Sequence, residues 1–201
     1  QSLIAKARTS QRKRPEDGGR WLLTYQPTGF AGLQVTLTAA LWGGLLITPP
    51  ERTMGGFHQA TRQWNASHIS ATPTFWRSFL MIADPTELSL QQITLGGEAA
   101  DQPTLDRIRR AFPDVRITHT YASTEAGVVY AVHDGLEGFP KKWLDEPPTG
   151  VQLRLSDGFL QIRTPNMMKG YVSDQAQPLL DDGWLATADL AVIDGDRVRV
   201  L

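Results

Sequence analysis

Two rhythms of apolar positions divide this chain. From Trp21 to about Val132, short apolar runs alternate with longer stretches whose apolar residues recur every three to four positions. The pattern predicts a helix over "GLQVTLTAALWGG" that leads into a strand at Leu45–Thr48. Three more pairs follow: helix "GGFHQATRQWN" with strand "HISATP", helix "TPTFWRSFLMIAD" with strand "QITLGG", and helix "DQPTLDRIRRAF" with strand "VRITHTY". Asp101 is placed to cap the last of these helices, and Pro103 is tolerated in its first turn. Strand–helix alternation of this kind argues for a mostly parallel sheet flanked by helices. After "EPPTG" (Glu146 to Gly150) the period falls to two. "VQLRLSDGFLQIR" alternates on both sides of Asp157-Gly158, and "LAVIDGDRVRVL" does so around Asp194-Gly195, two hairpin signals. The expected fold is therefore α/β, with an α/β portion over residues 1–148 and a small antiparallel β subdomain over 149–201. "KRPEDGGR" (Lys13 to Arg20) reads as a connector after a short initial helix.

Composition narrows the function. At 201 residues the chain can bury one large core or two small ones, and 41% hydrophobic with 20% charged residues is ordinary for a globular protein. A formal net charge of -1 gives no general attraction to nucleic acid or to an anionic membrane. The basic run Arg8 to Arg14 reads as a solvated linker. With no cysteine there is no disulfide, thiolate metal site or cysteine nucleophile. No apolar stretch approaches the ~18 residues of a membrane span. The start lacks both an initiator Met and a signal-peptide core, so the chain reads as cut from something longer, and a cytoplasmic location is expected.

Two predicted strands end in unusual residues, "ITLGGEAA" and "ITHTYASTE", at the edge where open parallel sheets bind ligands. Gly96 and Gly97 let a ligand approach the backbone; Tyr121 offers a flat face, Thr124 a hydroxyl and Glu125 a hard oxygen ligand. A purine, a phosphate and Mg²⁺ together use all of them. Residue by residue, plainer readings exist: a core tyrosine, a helix-start glutamate, a turn-capping Asp189 and a simple Gly-Gly turn. His58, His68, His119 and His133 lack metal-ligand spacing and read as ordinary surface or strand histidines. Trp42, Trp64 and Trp76 read as core. Ser123 is on no nucleophile elbow, because Tyr121 stands where a glycine is needed. No Walker A or G-x-G-x-x-G pattern occurs.

Taken in order, "LGGEAA", "TYASTE" and "TPNMMKGYVSD" followed by "DDGWLATADLAVIDGDRVRVL" resemble the adenylate-forming superfamily. This superfamily comprises acyl- and aryl-CoA ligases, peptide-synthetase adenylation domains and luciferases. The resemblance covers roughly Trp21 to Leu201. It implies that Tyr121 stacks on adenine and that Gly96, Gly97 and Glu98 line the adenine pocket through their backbone. It further implies that Thr124 hydrogen-bonds the α-phosphate or bound carboxylate, Glu125 holds Mg²⁺, and Asp189 accepts from both ribose hydroxyls. The implied cofactors are ATP or AMP, Mg²⁺, and CoA or a carrier protein's phosphopantetheine arm. A small carboxylic acid is activated as its adenylate and passed to the thiol.

The pattern departs in places. Ala122 and Ala188 replace glycines, Gly29 with Phe30 beside it stands where a gate residue is expected, and Phe75-Trp76 lies on a loop that approaches the acyl site in relatives. The family's phosphate loop and its C-terminal domain are absent from the 201 residues, so this stretch alone is expected not to adenylate efficiently. Loading of a carrier protein and a non-catalytic nucleotide-binding remnant are the rival expectations.

Overall fold

The structure, a computed structural model, describes residues 15–148, 150–171, 180 and 182–201. The expected initial helix and the Arg8–Arg14 run lie outside them. A six-stranded sheet has the order β2-β1-β3-β4-β5-β6, built from β1 (Arg20–Leu23), β2 (Leu45–Ile47), β3 (His68–Ala71), β4 (Gln92–Leu95), β5 (Arg116–Ser123) and β6 (Gly127–Val132). All pairs are parallel except β5–β6, which is antiparallel.

The connecting helices are α1 (Phe30–Trp42), α2 (Met54–Gln63), α3 (Pro73–Phe79) and α4 (Gln102–Ala111). Their starts follow local chemistry. Thr53, Thr72 and Asp101 each accept a hydrogen bond from a backbone N–H three residues on, and Pro73 and Pro103 sit where no helical N–H is required. α1 ends at Gly43 in the left-handed region, φ 70°. α3 stops at Phe79, short of the expected Asp84, and a capped turn at Pro85–Glu87 follows.

Alternation along the strands sorts the two faces of this sheet. Ile69, Ala71, Ile93, Leu95 and Ile117 point to a core shared with α2, α3 and α4, which includes Phe57, Trp76, Phe79, Leu105 and Ile108. The opposite face carries His68, Ser70, Gln92, Thr94 and Thr118, and there α1 packs Val35, Ala39 and Trp42 on Trp21 and Leu23. A parallel sheet with one polar face is unlike the uniformly apolar strands of a doubly covered sheet.

The second sheet is antiparallel, with order β7-β11-β10-β9-β8: β7 (Phe139–Pro140), β8 (Gln152–Ser156), β9 (Phe159–Arg163), β10 (Leu185–Asp194) and β11 (Arg197–Val200). Both predicted hairpins are present, turning at Asp157-Gly158 and Gly195. Its core takes Ala126, Val129, Tyr130 and Val132 from β6 and the turn before it, together with Phe139, Leu160, Ile162 and Val198. β7 lies before residue 149, so the chain enters the second sheet earlier than the change in periodicity indicates.

Two aromatic expectations are corrected. Trp64 is 52% exposed, because α2 has ended and the residue serves as its C-cap. Phe75 and Trp76 pack into the core beneath α3, with Phe75 stacked on Phe79 at 5.4 Å, and line neither of the cavities described below.

Candidate functional site

The carboxyl ends of β4 and β5 and the middle of β10 meet around a cavity of about 630 Å³. Its walls include Gly97, Glu98, His119, Tyr121, Ser123, Tyr130, Glu137, Thr187, Asp189 and Arg199. A second cavity of about 650 Å³ runs along the polar sheet face beside α1. Tyr25, Phe30 and Gln34 line it, and so does Thr124. The two share Gly97, Thr120, Ala122 and Ser123, so they adjoin at the end of β5.

Gly96 and Gly97 are needed where they stand. A Cβ on Gly96 would lie 2.8 Å from the Thr120 hydroxyl oxygen, and Gly97 has φ +86°. The Gly96 carbonyl accepts from the Tyr25 hydroxyl at 3.1 Å. The Glu98 side chain turns back to cap α3, accepting from the Thr74 N–H at 3.0 Å and its hydroxyl at 2.6 Å. Burial opposes its charge, but the bonds from Thr74 and Thr72 and the nearby Arg77 hold the carboxyl below its ordinary range. What Glu98 contributes to the cavity is thus backbone.

Tyr121 lies where β5 and β6 lose register, and its ring stacks on Tyr130 with centroids 5.3 Å apart and planes 16° from parallel. Its hydroxyl donates to Asp189 Oδ2. Burial, reinforced by the carboxylate, pushes the phenol well above its usual pKa, so it stays a donor. Asp189 owes its position to a bulge. Ala186 pairs with Gln161 and Leu190 with Phe159, so three residues of β10 oppose Leu160 alone. Ala188 takes φ +60°, a left-handed conformation that favours glycine. The Thr187 hydroxyl donates to the Leu160 carbonyl at 2.7 Å and accepts from the Asp189 N–H at 3.2 Å.

Glu125 falls in the β5–β6 turn rather than at a helix start. Its carbonyl accepts from the Met168 N–H, and its Oε1 accepts from the Tyr171 hydroxyl at 2.9 Å. Burial raises its pKa, yet hydrogen bonds from its own N–H, Tyr171 and Ser123 together hold it below the usual carboxylate range. It lines neither cavity. Among the described residues no group of three or more acidic, histidine or cysteine side chains could enclose a metal. A cation here would depend on Glu125 and on ligand oxygens, the way Mg²⁺ is held by one or two carboxylates plus phosphates.

Two residues were missed from sequence. His119, read as an ordinary strand histidine, is 6% exposed and lines the first cavity; its Nε2 lies 2.8 Å from the Leu136 carbonyl. Burial outweighs that bond and keeps the imidazole below its usual pKa, hence neutral. Only the register of β5 reveals which way it points. Arg197 anchors the adjoining loop, donating to the carbonyls of Leu136, Glu137 and Gly138 and to Asp134. No sequence motif marks it.

A family model described as "AMP-binding enzyme" matches residues 1–172. The chain is 26% identical over 191 residues to 4-coumarate--CoA ligase-like 2 of Arabidopsis thaliana, covering 84% of this chain and 33% of that protein. It is 27% identical over 195 residues to a probable 2-succinylbenzoate--CoA ligase of Mycobacterium tuberculosis, covering 91% and 47%. Among solved structures, o-succinylbenzoate CoA synthetase of Bacillus subtilis with its acyl-adenylate superposes with TM-score 0.77 at 20% identity, over 100% of this chain and 44% of that one. The same enzyme with ATP and a magnesium ion gives 0.76 at 20% identity. The chain spans less than half the length of these relatives. No described helix is long and apolar enough to cross a membrane. With a family model matched over residues 1–172 and the fold shared with solved relatives, the chain belongs to the AMP-binding, adenylate-forming enzyme family.

Proposed function

We propose that this chain supplies the nucleotide and acid sites of an AMP-forming carboxylate–CoA ligase. The observation that carries the reading is the convergence of Gly97, Tyr121 and Asp189 on one cavity, with a second cavity opening beside Thr124. In the first, adenine lies against Tyr121 beside the backbone of Gly97 and Glu98, and Asp189 takes the ribose hydroxyls, while Gly96 lines the second cavity instead. The organic acid lies in the second, with its carboxylate at the junction near Thr124. The aromatic rings of Tyr25 and Phe30 along its wall favour an apolar or aromatic acid.

A carboxylate oxygen attacks the α-phosphorus of ATP and pyrophosphate leaves. The thiol of CoA then attacks the acyl carbon and AMP leaves. A magnesium ion, bound, neutralises charge on the phosphate oxygens. The residues of this chain contribute position: Thr124 donates to an oxygen at the junction, Glu125 stays ionised as a cation ligand, and the neutral His119 closes the cavity floor.

The test is carboxylate-dependent ATP–pyrophosphate exchange by the full-length protein over short, long-chain, aryl and amino acids, followed by product assay with CoA and with carrier protein. Exchange with an aryl or apolar acid and capture by CoA is the expected result. Capture by carrier protein alone would replace CoA as the acceptor. AMP binding without exchange for any acid would leave a nucleotide-binding remnant.

A further inference from the structure

Tyr121 has two functional parts, and stacking uses only one. The ring is fixed from behind: it stacks on Tyr130, which packs on Phe139 at 4.9 Å and on Trp143 at 5.8 Å. The hydroxyl is thereby held at one position, and what occupies that position is Asp189 Oδ2.

Asp189 is constrained on the other side too. Its N–H is bonded to the Thr187 hydroxyl, and Ala188 at φ +60° turns the chain so that its side chain enters the cavity wall. A carboxylate offers about four lone-pair sites, so one phenol leaves Oδ1 and part of Oδ2 available. Without the phenol the side chain is free to change rotamer and must be ordered again when a ligand binds, which lowers affinity.

We propose that the Tyr121 hydroxyl is a positioning group that fixes the Asp189 carboxylate to receive the two hydroxyls of a ribose. This rests on the nucleotide reading of the first cavity. The consequence is selective: the hydroxyl contributes only to ligands that carry ribose hydroxyls. Its effect therefore runs through Asp189, separately from the stacking done by the ring.

The experiment is calorimetric titration of the native protein, Tyr121→Phe, Asp189→Ala and the double variant with AMP and with 2′,3′-dideoxy-AMP. Tyr121→Phe keeps the ring, so stacking is retained. Loss of one preordered side chain should weaken AMP by about twofold to tenfold. Dideoxy-AMP should change by less than about twofold, and Tyr121→Phe should have no further effect once Asp189 is alanine, as expected when one residue acts through another. Suppose the native protein prefers AMP to dideoxy-AMP, but Tyr121→Phe binds AMP as tightly or more tightly. The phenol then competes with the ribose and the proposal is overturned. Equal weakening of both nucleotides also overturns it, since the hydroxyl would then serve the ring or the fold. If the native protein binds both nucleotides equally, or neither, the assignment of Asp189 to ribose falls along with the proposal.

Discussion

Replacing Ala188 by glycine should make this protein more stable. Ala188 is one of three non-glycine residues with positive φ among those described, at +60°. A left-handed backbone brings the Cβ of an L-residue against its own carbonyl and costs about 1–2 kcal/mol. Glycine removes that cost but loses about 0.4–1 kcal/mol more chain entropy on folding. The net expectation for Ala188→Gly is a gain of ~0.5–1 kcal/mol. For a chain of this length that corresponds to a rise of about 1–4 °C in melting temperature. Ala186→Gly is the internal control: the same change two residues earlier, where Ala186 pairs with Gln161 in the regular ladder, should destabilise by ~0.5–1 kcal/mol. Urea unfolding of the three proteins, read at the midpoint with a common slope, decides it. An unchanged or lowered midpoint for Ala188→Gly would refute the reasoning, because the bulge would then impose no left-handed conformation on that residue.

Tyr171→Phe removes the donor at 2.9 Å from Glu125, so the full-length protein should need several times more Mg²⁺ for half-maximal exchange; an unaltered Mg²⁺ curve would detach Tyr171 from the cation site. Arg197→Lys exchanges a fork for a point charge and abandons carbonyls of the 136–138 loop, at an expected cost of about 2–3 kcal/mol in unfolding free energy; a loss under about 0.5 kcal/mol would show that the loop needs no anchor. His68, buried against Trp21, has its pKa lowered from 6.5 to about 4, chiefly by burial and despite nearby Asp17. Its folded pKa lies below its unfolded one, so the unfolded chain binds the extra proton between those values. Stability from this residue is therefore complete above about pH 6.5 and lost as pH falls toward 4. His68→Gln should flatten the melting-temperature profile across that window, and an unchanged profile would remove His68 as the source.

Many of the element positions follow from local chemistry that is visible in the chain. The caps at Thr53, Thr72 and Asp101 and the turns at Asp157-Gly158 and Gly195 are short-range signals, and the elements beside them form as expected. Long-range register is where legibility stops. β6 was missed because "ASTEAGVV" reads as a ligand motif, while the strand exists through its pairing with β5. β7 is two residues long and has no pattern to detect. His119 and Tyr121 are two apart on one strand, so they share a face, but that this face is a cavity depends on β10 arriving from 68 residues away. Trp64 and Trp76 are alike in type and opposite in fate, because one caps a finished helix and the other lies on the buried face of α3. For the candidate site, Gly96, Gly97, Tyr121 and Asp189 were marked by motif, and Thr187 lies inside the same motif as Asp189, whereas Tyr130 behind Tyr121 emerges only from the packing.

β6 is hydrogen-bonded into the first sheet, yet it buries Val129, Tyr130 and Val132 in the core of the second. Such a strand makes the two layers one cooperative unit. Opening the second sheet would expose those residues and strip the support from β5, so neither half has a low-energy route to unfold by itself. Amide protons of β6 and of β10 should consequently exchange with the same opening free energy, and the two sides of the first cavity should be lost in a single event.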